Sequence, residues 1–433
     1  MAAIIGIRRE DKSEWERRSP LIPAQVRDLH EEHGLEFRVQ PSGIRVFTDE
    51  EYRTAGALVE EDLSACPVVF GVKEMPVSIF RPGGTYVFFS HTIKGQSHNM
   101  PMLRRLLELG CQLIDYERIL DDKGRRVVLF GNYAGLAGMI DALWALGQRL
   151  NWEGLESPFG SIGQAHTYPD LERAKAAVAE AGEAVRKGDL PKKLVPFVVG
   201  FAGYGSVSQG AQEILDLLPV EEVRPGDLAS LSSRAKADRI YKVVFYEEHM
   251  VEPNDPSGKF ELQDYYDHPE KYHAVFGKYL PHLGVLMNCI YWEARYPRLV
   301  TKSQLWDLYA SAEPNLRVIG DISCDIDGAV EFTVKCTTPG NPVFTYDPAT
   351  DKVADGVKGN GPVVLAVDHL PCELPRESST AFGEALMPFV PEIAEADYGA
   401  AFDNCRLSDP VKGGVIVYQG RLTPEYEHLE KYL

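Results

Sequence analysis

The stretch from Phe197 to Leu218, F-V-V-G-F-A-G-Y-G-S-V-S-Q-G-A-Q-E-I-L-D-L-L, limits what this chain can fold into more than any other. An apolar, β-branched run at Phe197, Val198 and Val199 leads into Gly203 and Gly205, and apolar Ala211, Ile214, Leu215 and Leu218 follow at helical spacing. This pattern predicts strand, tight turn and helix. Without Cβ atoms in the turn, the free N–H groups of the helix start can approach a pyrophosphate. The third glycine of the dinucleotide fingerprint is replaced by Ser208, with Gly210 displaced by two residues. Taken alone, the turn therefore leaves open both dinucleotide binding and an ordinary strand–helix connection.

On the dinucleotide reading, the cofactor positions are Gly203, Gly205, Ser206 and Val207. Arg224 lies 21 residues after Gly203, near the end of the strand that follows the turn, where an acidic residue would hydrogen-bond the ribose 2′-hydroxyl of NAD. Arginine suits a 2′-phosphate instead, so NADP(H) is favoured and NAD(H), with Glu221 and Glu222 adjacent, is the alternative.

The rest of the chain alternates strands and helices. Ala3–Ile7 is an apolar strand, and a helix begins at Pro23 and ends at Gly34. Two apolar strands, Pro67–Val72 and Thr85–Phe89, each end on ionisable residues: Lys73 and Glu74 after the first, His91 and Lys94 after the second. A helix around Met100–Leu109 and a strand at Cys111–Ile114 lead to Asp115, Tyr116 and Glu117. Gly131–Leu150 is a helix dense in small residues, which predicts close packing against another backbone. Asp170 caps a helix ending near Gly188, Val243–Tyr246 is a strand, Pro253–Pro269 reads as a polar loop insertion, and a helix begins near Ser379.

This alternation predicts an α/β protein of two Rossmann-like, doubly wound parallel-sheet domains separated by a cleft. A length of 433 residues suits two domains, placed at 1–130 plus 369–433 and at 131–368. A net charge of −19, spread along the chain, argues against nucleic acid and anionic membrane as partners. Seven scattered cysteines without a CxxC pair, and no signal-like start, point to reduced thiols and a cytoplasmic protein.

Arg18, Lys73, His91 and Lys94 are cationic or protonatable groups at presumed strand ends of an acidic chain, where open α/β sheets bind ligands. If they converge, like charges lower the Lys and His pKa values and create bases that work near neutral pH, moderated by Glu74 and Glu117. Each taken singly also reads as a solvated loop charge. Asp321, Asp325 and Asp327 lack the glutamate that a calcium loop needs at its twelfth position, so no metal is expected and Asp321 reads as a strand-end carboxylate.

The segments E-R-R-S-P-L-I-P, G-V-K-E-M-P, F-F-S-H-T-I-K-G-Q, L-I-D-Y-E, F-G-N-Y-A-G-L-A-G-M-I, G-Y-G-S-V-S-Q-G-A-Q, N-C-I-Y-W-E, D-I-S-C-D and V-D-H-L-P-C-E-L-P-R-E occur in collinear order through nearly the whole chain. Together they resemble the lysine–ketoglutarate reductase region of bifunctional aminoadipic semialdehyde synthases. More distantly, the chain is similar to lysine-forming saccharopine dehydrogenases and to the alanine dehydrogenase and transhydrogenase group. The resemblance implies reductive condensation of L-lysine with 2-oxoglutarate to saccharopine, or its reverse, with a nicotinamide cofactor. It implies acid–base roles for Lys73 and His91, substrate binding by Arg18 and Lys94, tuning by Glu74 and Glu117, and cofactor contacts at Asp321 and Leu370. The saccharopine-oxidising half of the bifunctional enzyme has no counterpart in this sequence, so a separate saccharopine-oxidising enzyme is the implied partner. Two readings stay open beside this one: an opine-type dehydrogenase joining another amine to a 2-oxo acid, and a non-catalytic nucleotide or amino-acid sensor.

Overall fold

A computed structural model describes residues 3–311 and 314–433. The chain divides into two compact units, Met1–Phe130 with Pro375–Leu433, and Gly131–Leu374.

In the first unit an eight-stranded sheet has the order Arg421–Leu422, Val415–Tyr418, Gln112–Ile114, Thr85–Val87, Val68–Phe70, Ile4–Ile7, Glu36–Val39, Leu58–Val59. The six strands from the N-terminal part run parallel, and the two C-terminal strands add antiparallel at the Gln112–Ile114 edge. The chain first winds outward from Ile4–Ile7 through two strands, then returns to that strand's other side and winds the opposite way. Strand order therefore reverses between Ile4–Ile7 and Val68–Phe70, the point where open α/β sheets form their ligand crevice.

The second unit carries another eight-stranded sheet, ordered Lys352–Asp355, Val343–Asp347, Val363–Leu365, Val318–Asp321, Val285–Asn288, Val198–Ala202, Ile240–Phe245, Val220–Glu222. Its central strands are apolar on both sides. Val199, Phe201, Val285, Met287 and Val318 enter one core, while Val198, Ala202, Leu286 and Ile319 enter the other. That is the signature of a parallel sheet covered on both faces. The sheet is α/β as expected, with one addition: Val343–Asp347 and Lys352–Asp355 pair antiparallel at the edge.

The Gly131–Trp152 helix packs on the Ser206–Leu215 helix at backbone distance. A Cβ at Gly135 would lie 1.9 Å from the Val207 carbonyl oxygen, and one at Gly210 would lie 2.2 Å from that of Asn132. The small residues of this helix thus serve the close packing read from the sequence. Asp170 does cap the Leu171–Arg186 helix, accepting from the Arg173 N–H at 2.8 Å.

Two local expectations change. The Pro253–Pro269 segment is not bare loop: it contains the Leu262–Asp267 helix, and the strands Val251–Pro253 and Tyr272–Ala274 pair across it. Phe260, Tyr265 and Tyr272 form an aromatic cluster that supports it, a signal masked by the polar residues around them. The helix expected from Ser379 begins at Pro375, where proline's fixed φ and missing N–H suit a first turn. No helix among the described residues is long and apolar enough to cross a membrane.

Candidate active site

Lys73 and Glu74 follow the Val68–Phe70 strand, and His91 follows Thr85–Val87, so neighbouring parallel strands deliver all three at one end of the first sheet. The backbone carrying Lys73 is fixed by Glu10, which follows the adjacent Ile4–Ile7 strand. The buried Glu10 carboxylate accepts the N–H of Val72 at 2.7 Å and that of Lys73 at 3.0 Å. Burial pushes the Glu10 carboxyl up to about 7, against the opposing charge of Arg8.

Lys73 is partly buried. Burial lowers its ammonium from the ordinary 10.5, and the Arg18 charge lowers it further, against Glu16. Glu74 bridges His91 and Lys12: its Oε1 lies 2.7 Å from His91 Nδ1, and its Oε2 accepts from Lys12 Nζ at 2.8 Å. Burial alone would raise Glu74, but His91 and Lys12 outweigh it and hold the carboxyl well below the usual carboxylate range. His91 sits at φ +48°, a left-handed conformation that costs a histidine on the order of 1–3 kcal/mol. Surrounding bonds impose it: Asn99 donates to the His91 carbonyl at 3.1 Å, and the flanking Ser90 N–H donates to buried Asp115 at 3.0 Å. With Nδ1 committed to Glu74, Nε2 is the ring atom left for proton transfer.

Arg18 is buried and held bidentate by Glu16, at 2.7 and 2.5 Å, with its guanidinium 4.2 Å from the Phe130 ring centroid. Two of its donors are thus engaged by Glu16. Glu117 is bound by Arg126, and its N–H donates to Asp115 at 2.8 Å. Lys94 is exposed.

In the second unit, Val198–Ala202 runs into the glycine turn as expected. Gly203 has φ +93°, and a Cβ there would lie 3.1 Å from Ile290 Cγ2 and 3.2 Å from the Cys289 carbonyl, so both conformation and space require glycine. Above Gly205 there is open space, and as N-cap of Ser206–Leu215 it gives the helix no side-chain cap. The N–H groups of the first turn, at Ser206 and Val207, have no side chain bonded to them from the cap, so the turn fits a pyrophosphate.

Asp321 ends its strand opposite Asn288, which donates to it at 2.8 Å, while Thr333 donates to its other oxygen at 2.5 Å. Burial pushes Asp321 up to about 6. The Leu370 side chain is in the core against the Gly131–Trp152 helix, so only its backbone is left for a ligand. Arg224 does follow the strand after the glycine turn, but that strand, Val220–Glu222, lies at the sheet edge. The strand beside the turn is Ile240–Phe245. Residue counting assumes that the next strand in sequence is the next in space, and here it is not.

Sequence reasoning placed Asp115 at a strand end without giving it a role, and did not single out Glu10, Lys12 or Glu16. Those three lie in the charged run after Ile7. The rule that ligand groups follow strand ends at a reversal of strand order would have found them.

The alanine dehydrogenase/PNT N-terminal domain family matches residues 6–137, and its C-terminal domain family matches residues 289–425. The chain is 39 % identical over 447 residues to the alpha-aminoadipic semialdehyde synthase of Arabidopsis thaliana and 37 % identical over 444 residues to the mitochondrial one of Bos taurus. These alignments take in 99 % of this chain but only 41 % and 48 % of the two synthases, so the chain spans less than half of their length. Against the saccharopine dehydrogenase (NAD(+), L-lysine-forming) of Emericella nidulans it is 30 % identical over 412 residues, covering 91 % of this chain and 92 % of that one. The chain belongs to the saccharopine dehydrogenase family. Its fold is also that of a solved L-alanine dehydrogenase, with a TM-score of 0.63 at 18 % identity over 99 % of both chains. As in that relative, the saccharopine dehydrogenase family architecture here is α/β and mostly parallel.

Proposed function

We propose that this chain joins the side-chain amine of L-lysine to the keto carbon of 2-oxoglutarate and reduces the resulting imine to saccharopine, or runs the reverse reaction. The first unit carries the substrate chemistry and the second holds the nicotinamide dinucleotide. The observation that carries this reading is Lys73, with its lowered pKa, beside Glu74, which pairs with His91 from the neighbouring strand end. The lysine-forming name of the fungal relative supports it.

The chemistry asks for what this group offers. The substrate amine must lose a proton before it attacks the ketone, and Lys73, more readily neutral than an exposed lysine, accepts it. The carbinolamine oxygen must then leave as water, and His91 supplies the proton from Nε2 while Glu74 stabilises the imidazolium through Nδ1. When bound, the reduced cofactor supplies the hydride that turns the imine into a secondary amine. Arg18 attracts a carboxylate of the dicarboxylic oxo acid, with Phe130 covering one face of the guanidinium.

An initial-rate assay tests the proposal by following loss of reduced-nicotinamide absorbance while lysine or 2-oxoglutarate is omitted in turn. Oxidation should require both. Equal or faster rates with another amine or oxo acid would point to an opine-type enzyme and overturn the substrate assignment.

A further inference from the structure

In a dinucleotide-binding sheet, the adenosine ribose is read from the carboxyl end of the strand beside the glycine-turn strand. Here that strand is Ile240–Phe245: Ala202 is in register with Phe245, and the Gly203 N–H donates to the Phe245 carbonyl at 3.0 Å. The next two residues are Tyr246 and Glu247. Arg224 is exposed beyond the edge strand Val220–Glu222, one strand further out.

Glu247 is held at the turn. Its Oε1 accepts from Tyr266 Oη at 2.8 Å, and Tyr204 Oη, from the turn itself, lies 3.5 Å away. The rings of Tyr204 and Tyr246 stack at 4.7 Å and are 39 % and 45 % exposed, an open aromatic pair flanking the carboxylate. Among the cations near the outer strands, Arg234 and Arg239 pair with Glu221 and Lys242 with Asp216.

We infer that Glu247 is the residue that reads the adenosine ribose and makes this chain selective for NAD(H) over NADP(H). A carboxylate accepts hydrogen bonds from the ribose hydroxyls. A 2′-phosphate carries up to two negative charges and no donor once ionised, so beside Glu247 it meets repulsion and a lost bond. The inference rests on reading the glycine turn as the dinucleotide site, and it replaces Arg224 as the selecting residue.

Equilibrium binding of NADH and of NADPH to the full chain, followed by nicotinamide fluorescence or calorimetry, tests it without turnover. Wild type should bind NADH roughly 10- to 100-fold more tightly, the range expected for one charge-assisted bond gained or lost. Glu247→Gln, which keeps a side chain able to bond Tyr266, should weaken NADH and strengthen NADPH, and Glu247→Ser should do the same. Arg224→Ala should change neither. Tighter NADPH binding by wild type, or an Arg224→Ala variant that loses NADPH while Glu247→Gln changes nothing, would overturn the inference and leave the dinucleotide site standing. Binding of neither nucleotide by folded wild type would overturn the dinucleotide reading itself.

Discussion

In the proposed mechanism two demands meet at Glu74: it stays ionised to orient His91, and it must not cancel the lowered pKa of Lys73. His91 and Lys12 both bond Glu74, while burial and Arg18 act on Lys73. Lys73→Met and His91→Gln should each lower kcat by about 10²- to 10⁴-fold, the usual worth of a positioned acid or base, while NADH affinity by direct titration stays unchanged. The pH profile gives the sign. With Lys73 as the proposed neutral base, kcat/KM of wild type should rise with pH through a value below the ordinary lysine 10.5, and that limb should vanish in Lys73→Met. Residues of this kind were legible because strand ends are: apolar runs stop at Val72 and Phe89, and the ionisable groups beyond them had nowhere else to project. The Arg18–Glu16 pair was not legible, since two residues of opposite charge in a charged run look the same whether buried or solvated.

The helix–helix contact of the second unit depends on missing atoms. Alanine at position 135 would gain up to about 1 kcal/mol of helix propensity, but its Cβ would fall 1.9 Å from the Val207 carbonyl oxygen and 2.7 Å from the Ala211 nitrogen, both backbone. Overpacking of this kind costs about 1–3 kcal/mol or more, so the clash wins. Gly135→Ala should therefore lower the melting temperature, and Gly135→Val should lower it further; an unchanged value in both would refute the close-packed contact. The composition of Gly131–Leu150 announced this contact but not its partner. Strand order was harder still, though one signal existed: I-Y-K-V-V-F is a long, nearly continuous apolar run, whereas V-E-E is short and charged. The first suits a covered inner strand and the second an edge. Burial pattern, not sequence distance from Gly203, says which strand adjoins the turn.

Across the whole molecule, the charged groups that matter are those withdrawn from water. In the second unit, buried Asp141 and Glu373 interact, with His166 Nδ1 3.2 Å from Glu373, and among the described residues no donor reaches Asp141 Oδ2 or Glu373 Oε1. One proton shared between the two carboxyls satisfies both atoms. Burial raises both, Glu373 to about 7, so this pair contributes most below the ordinary carboxyl range and its contribution is lost as pH rises from about 4.5 through about 7. Asp141→Asn, which carries a permanent donor, should be less stable relative to wild type at the acid end and gain on it as pH rises, read from melting temperatures. The account as a whole turns on whether the Lys73–Glu74–His91 group performs imine chemistry on lysine. Mass spectrometry of a reaction containing lysine, 2-oxoglutarate and NADH tests that most directly. Wild type should form saccharopine, with Lys73→Met and His91→Gln forming little or none; NADH binding with no lysine–glutarate conjugate, or equal conjugate from the variants, would contradict it.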